Sequence, residues 1–448
     1  MRAALLAAVV PAFACGRIGF DASGTTDAAD APGCIAPSEP AATRVVFAGE
    51  DLFAILQALV PGDVVEVHAG IYTSPGVQVT WSGTQAQPII VRAAPGERPV
   101  LQGNPSFNLF DLYGSWFTLR GFELTGADIG IRLHGTDHGT LDDLRLHALT
   151  NEGLTCNNVN QPCVAMTLRR LEIFGTMGIG TGIALGCPDG SCSPTNTTVE
   201  GCFIHDLGGT TGVAIFADVG ASALAIRDNV IVRVPGPGIQ TAGTTLGTRT
   251  TIERNLVYGT TQDNGIQIEG QVIVRNNIVI GAAAYGIYSN QGQLPPDDAE
   301  IVHNTVIGLG GESGCFKTNN WDTSTGQIVA NNAFYCPASV AVDIAAGAPG
   351  AVFANNIVLG SSNAPGGVIN GASMAADLGD PSTAMVYPPT GSAMIDAGDP
   401  AHTAGDDFNG LIRAAPPDVG AYEHTTAGNP GWRIVEGFKP LPVTGCAN

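Results

Sequence analysis

IRDNVIV (226–232), IERNLVY (252–258), VRNNIVI (274–280) and IVHNTVI (301–307) are four copies of one phrase, in which a polar corner ends in asparagine and a short apolar strand follows. Two further copies centre on Asn332 and Asn356, and earlier copies carry Phe122, Leu144, Leu171 and Cys202 in the asparagine slot. Successive slots lie 22, 27, 31, 27, 26, 22, 27, 28 and 24 residues apart, so the phrase is constant while the spacing is not. That combination marks stacked coils joined by loops of variable length. The apolar residues of the early copies show that the slot faces inward. A buried carboxamide is tolerable there only if it finds partners. Coils stacked about 4.8 Å apart let each Asn donate to the next while serving a corner of left-handed geometry, an asparagine ladder.

After each corner a second strand begins on glycine: GIRL at 130, GIAL at 182, GVAI at 212, GIQT at 238, GIQI at 265 and GIYS at 286. Alternation puts Ile or Leu inside and the intervening residue outside. The chain must also close its ends. Glu50 to Val60 predicts a short capping helix with Phe53, Leu56 and Val60 on one face, stopped by Pro61-Gly62. Composition agrees with many short strands, since 60 Gly and 29 Pro accompany 44% apolar and only 13% charged residues. The expected fold is all-β, a parallel β-helix solenoid with a short N-terminal capping helix.

Met1-Arg2 and the apolar run Ala3 to Ala14 have signal-peptide form and length, and the run stops at Cys15. Ala12-Phe13-Ala14-Cys15 resembles the lipobox of bacterial lipoproteins, which implies lipidation of Cys15, export, and residence at the outer membrane or cell surface. Ala12 and Phe13 depart from that pattern, and a plain Ala-x-Ala cut releasing a secreted protein is the competing reading. The expected organisation is a signal peptide over 1–15, a flexible tether over 16–40, the solenoid with its cap over 41–376, and a C-terminal cap or anchor-type segment over 377–448. Cys156 with Cys163 and Cys187 with Cys192 close short loops that suit disulfides in an oxidising compartment. Cys315 with Cys336 sit on neighbouring repeats, Cys34 with Cys446 would tie the two ends, and Cys202 is left as a buried thiol.

GDVVEVHAGIY from Gly62, SGTQAQPIIVRAAPGERPVLQG from Ser82 and the asparagine phrases resemble the pectate lyase-like superfamily of right-handed parallel β-helix proteins over roughly residues 45 to 370. SAMIDAGDP, DDFNG and DVGAYE, ending at Glu423, resemble the C-terminal segment of choice-of-anchor Q surface proteins. The resemblance implies right-handedness and a polysaccharide partner lying along an outward strand column. It does not name a reaction, because this architecture hosts lyases, hydrolases, epimerases and non-catalytic proteins.

The column after the corner offers Arg132, His134, Gln240, Gln267, Tyr288 and Asn290 for substrate, with Trp321 nearby; polar groups beside aromatic rings suit sugars. Lys317 and Glu269 are the catalytic candidates, Lys317 as the base of a uronate lyase. Arg132 and His134 lie several coils from Lys317, too far to act on the same sugar. Asp142-Asp143 make a poor hydrolase pair, and His205-Asp206 and Asp263 sit where corners favour such residues anyway. In the tail, Asp399, Asp407 and Asn409 are candidate Ca2+ ligands, against a structural reading in which Arg413 pairs with a nearby carboxylate. A net charge of -21 repels nucleic acid and anionic lipid, so any membrane contact is expected through the lipid anchor alone. The expected function is polysaccharide binding or processing on the exposed groove; the alternatives are a non-catalytic structural or adhesion protein of the envelope and a polysaccharide lyase.

Overall fold

The computed structural model describes residues 39–74, 76–243 and 248–441, so Cys15, Cys34, Cys446 and the N-terminal apolar run lie outside the described residues. Each coil contributes three short strands. In the coil of Asn255 they are Thr250–Glu253, Leu256–Tyr258 and Ile266–Ile268, and each pairs in parallel with its counterpart one coil on. These three walls are called here sheets A, B and C. Sheet A has 13 strands, from Arg44–Val46 to Val352–Ala354. Sheets B and C join at the far end, where Ala333–Ile344 and Asn356–Ser362 run through both.

The corner from A to B is a single residue of positive φ just before the slot, such as Asp143, Arg170, Asp228, Arg254 and His303, with φ of 50 to 57°. The left-handed conformation therefore falls on the residue preceding the slot. The slot itself is buried throughout, and from coil to coil Asn229, Asn255, Asn277, Asn304, Asn332 and Asn356 donate from Nδ2 to the next Oδ1 at 2.9 to 3.0 Å. Each of those oxygens also accepts the backbone N–H of the preceding Asn, and each Nδ2 donates to a sheet A carbonyl, such as Ile226 O from Asn255. Every polar atom of the ladder is thus satisfied without water. Inside, Leu141, Leu168, Val199, Ile226, Ile252 and Val274 stack in register on sheet A, all fully buried, each contributing about 1.5–3 kcal/mol.

The capping helix is shorter than expected, Leu52–Gln57, with the Asp51 carboxylate accepting from Ala54 N. It buries Leu52, Ile55 and Leu56 rather than the Phe53, Leu56, Val60 face, and Val60 is 58% exposed because the helix has already ended.

The tail does not sit as a plug beyond the last coil. Leu378, Val386, Met394, Phe408, Val419, Tyr422 and Ile434 pack on the outer face of sheet B, against Val230, Leu256, Ile278, Ile280 and Tyr335. This flank forms a second core beside the inner one. Arg413 fastens it, donating to Asn276 Oδ1, to the Gly420 and Ala421 carbonyls and to Glu423. Its carboxylate partner is Glu423, 3.4 Å away, and it meets Asp406 and Asp418 through their backbone carbonyls. Lys439 is buried against Asp228, 2.8 Å away, and over the Phe408 ring.

Cys156–Cys163, Cys187–Cys192 and Cys315–Cys336 are disulfides, and Cys202 is a buried free thiol whose pKa burial pushes up to about 12. Such a thiol is chemically inert at neutral pH.

Candidate functional site

Sheet C carries the groove. Its register places Gln78, Asp111, Arg132, Thr155, Ala184, Phe216, Gln240, Gln267, Tyr288, Lys317 and Asp343 in one column, of which Thr155 and Ala184 in the middle are buried and divide the exposed groove into two stretches. Period-2 alternation thus brings Arg132, Gln240, Gln267, Tyr288 and Lys317 into line. Seven coil steps separate Arg132 from Lys317, about 34 Å, so the two act on different parts of any bound chain.

At the N-terminal end the column opens into a cleft of about 460 Å³ lined by Gln78, Phe107, Asn108, Asp111 and Asp128. Phe107 is 56% exposed, a large ring presented to solvent. Arg132 stands beside this cleft, its Nε and Nη2 donating to Asn158 Oδ1 and Asn157 Oδ1 at 3.1 and 3.3 Å. Those amides belong to the loop closed by Cys156–Cys163, so the disulfide steadies the groove's cation. His134, two residues on, lies 2.7 Å from Asp111 and stacks on Tyr113, while its Nδ1 faces Asn158 and Gln161. Both ring nitrogens are engaged, which suits a positioning role better than proton transfer. Glu152, on the corner below, is 5% exposed; burial, with Asp128 adding and Arg132 opposing, raises its pKa to about 7. A perturbed carboxyl beside a cleft is a functional-site signal, and sequence reasoning missed it. The sequence signal was available: Glu152 holds the position before the strand glycine that Ile129 and Thr181 hold in neighbouring coils.

At the other end, Lys317 donates to Asp343 at 3.1 Å and to the Tyr285 hydroxyl at 3.3 Å, with its ammonium over the Tyr285 ring. Burial opposes its charge, but the Asp343 and Tyr285 contacts prevail and raise its pKa above the ordinary lysine value. Lys317 is therefore a poor general base. Tyr288 accepts from Asn319 Nδ2 at 2.6 Å, and Gln267 accepts from Asn264. Asn290 lies just past this strand, half-buried.

Two candidates are corrected. Trp321 is fully buried, edge-on to Phe316, with Nε1 donating to Ser289 Oγ, so its ring belongs to the inner core and offers no sugar platform. Glu269 is 6% exposed beneath the loop at 292–293 and accepts from Gln293 N; burial raises its pKa, and the loop withdraws it from the groove.

Of the tail's candidate calcium ligands the two aspartates are held by backbone N–H groups, whereas Asn409 donates to Asn429 Oδ1 and its own Oδ1 is buried without a partner. Asp407 accepts from Asn409 N and Leu411 N on one oxygen and from Glu423 N on the other, and Asp399 accepts from Ala401 N. These are turn-forming bonds. Among the described residues the ligand-type atoms that converge are those of His205, Asp206 and Glu436. Arg233 already bridges the two carboxylates there, at 2.6 and 2.5 Å, and occupies oxygens that a cation would need.

Residues 112–334 match the family described as right handed beta helix region. The chain is a right-handed parallel β-helix. It is similar to the crystal structure of pectate lyase Pel9A, at 16% identity and a TM-score of 0.52, covering 86% of this chain and 97% of that one. It is also similar to the alginate lyase AlyGC of family PL6, at 15% identity and a TM-score of 0.51, covering 81% of this chain and 59% of that one. No curated protein matches the sequence significantly.

Proposed function

We propose that the outer face of sheet C binds a polysaccharide chain, with the Phe107–Asp111–Arg132 cleft as its main subsite. The observation that carries this reading is the in-register column of mostly polar and aromatic side chains on either side of buried Thr155 and Ala184, open at one end into a cleft with an exposed ring. Sugars are held by such sets, through stacking on a ring face and paired hydrogen bonds to hydroxyls. Two structures of the same fold are named as lyases of pectate and alginate, which is consistent with a glycan on this architecture. Elimination with Lys317 as base is not part of the proposal, since that side chain is held protonated by Asp343. The test is co-sedimentation of the protein with a panel of insoluble polysaccharides, repeated with Phe107→Ala. Retention by at least one polysaccharide, weakened about tenfold in the variant, supports the reading; no retention, or retention indifferent to Phe107, rejects it.

We further propose that the chain is exported and lipid-anchored at Cys15, and that Cys34 pairs with Cys446. Three disulfides support an oxidising compartment. Glu39 pairs with Arg120 on sheet A, and Leu441 packs over Gly201 three coils away, about 14 Å along the axis. Five residues from each side, about 17 Å apiece when extended, span that gap. Palmitate labelling that persists in Cys15→Ser refutes the anchor, and a free thiol count of three or more in the unfolded, unreduced mature protein refutes the terminal pair.

A further inference from the structure

The cations of this protein are largely spent within it. On the outer face of sheet A, Arg92 pairs with Glu66, Arg169 with Asp142, Arg227 with Glu200 and Arg275 with Glu253, all at 2.6 to 3.1 Å across adjacent coils. On sheet B, Arg145 pairs with Glu172. In the groove, Lys317 is matched by Asp343, and the His134 ring hydrogen-bonds Asp111. Among described groove residues Arg132 is the cation without a carboxylate in ion-pair contact; it is held by two neutral amides, and Glu152 feels its charge.

Resting on the groove reading above, we infer that the ligand is an uncharged glycan, bound by carboxamides and rings, rather than a uronic acid polymer. A polyuronate would bring one carboxylate per sugar to the exposed stretches on either side of buried Thr155 and Ala184 and find one uncommitted cation, Arg132, along them. At the far end Asp343 is neutralised by Lys317, while in the cleft Asp111 is hydrogen-bonded by Asn108 and His134 and Asp128 by Thr150, carboxylates that repel a uronate and make the cationic series the control the test must carry. Left for a ligand are Gln78, Gln240 and Asn290, which both donate and accept as a sugar hydroxyl does, the Oδ1 acceptor of Asn108, whose Nδ2 is held by Asp111, and the Phe107 and Tyr288 rings. The Asn319 Oδ1 acceptor is also free among described contacts, since only its Nδ2 is used by Tyr288.

The test is titration calorimetry of the full mature chain against three oligosaccharide series: neutral (gluco-, xylo- and manno-), uronic (galacturonate and mannuronate) and cationic (glucosamine). The expected result is binding within the neutral series, changed less than about twofold between low and high salt. Gln240→Ala with Asn290→Ala is expected to weaken it about tenfold. Binding of the uronic series that falls with salt and is lost in Arg132→Gln overturns the neutral class while leaving the groove in place. Binding of the glucosamine series does the same. No binding by any series removes the groove reading, and the inference with it.

Discussion

Sheet B is built twice over in this molecule, once for water and once for protein. In the early coils its outward residues are Glu123 and Thr125, then Arg145 and His147, then Glu172 and Phe174. They form ion pairs and a stacked run in which His147, Phe174 and His205 follow ring on ring at 4.9 and 5.0 Å. From Phe203 on, the same positions hold Val230 and Val232, Leu256 and Tyr258, then Ile278 and Ile280, and the tail lies across them. The slot behind the strand changes over the same stretch, from Phe122, Leu144, Leu171 and Cys202 to the asparagine ladder. Where a strand is apolar on both faces, little besides hydrogen bonding distinguishes one register from the next. A polar ladder that fits only one register supplies that specification where alternation cannot.

The comparison breaks most directly by removing the cover. Deleting residues 371–448 uncovers the apolar outer face of the late coils while touching none of the early sheet B positions. We expect the late coils to lose protection from amide hydrogen exchange and the protein to aggregate, while exchange in coils 110–176 stays near that of the parent. Uniform behaviour of both halves would show that the tail is not what separates them.

Next in size is the ladder. Asn277→Leu puts the early coils' residue type into the late slot, yet it orphans the Asn255 N–H and amide that Asn277 Oδ1 accepts. The expected cost is about 2–5 kcal/mol by denaturant unfolding, although apolar volume has been gained. A neutral or stabilising Leu would mean that the ladder adds nothing to fold stability.

Glu152→Gln probes the early half. Its folded pKa of about 7 lies above the ordinary value of 4.5, so burial penalises the charged form: no penalty applies below about pH 4.5, it grows between 4.5 and 7, and it is complete above 7. The variant should therefore gain about 2–3 kcal/mol over the parent at pH 8 and nothing at pH 4. An equal difference at both pH values contradicts the assignment. Smallest of all is Arg227→Ala on the exposed ladder of sheet A, expected to cost under about 1 kcal/mol despite its 2.8 Å contact with Glu200.

The slot phrase made the solenoid and its ladder legible, because a buried repeat tolerates few residue types and so stays recognisable across loops of any length. The groove column was legible for the same reason of period: Arg132, Gln240, Gln267, Tyr288 and Lys317 alternate with inward aliphatics. Coverage by distant chain was not. Trp321 and Glu269 follow the right period yet are buried, one by packing on Phe316 and one by the loop at 292–293, and no local pattern reports such a lid. The flank was readable in principle, since VIV, LVY and IVI are apolar at three successive positions, the mark of a strand buried on both faces. Reading the tail only as an end cap passed over that signal.

The same contrast leaves sheet C, like sheet A, free of the described tail, and on sheet C the functional proposal stands or falls. Hydrogen exchange of the full mature chain with and without saturating neutral oligosaccharide measures this directly. Protection confined to sheet C and its loops, at 105–113, 130–134, 156–161 and 239–241, is the predicted result. Protection confined instead to the early sheet B stack of His147, Phe174 and His205 would contradict it.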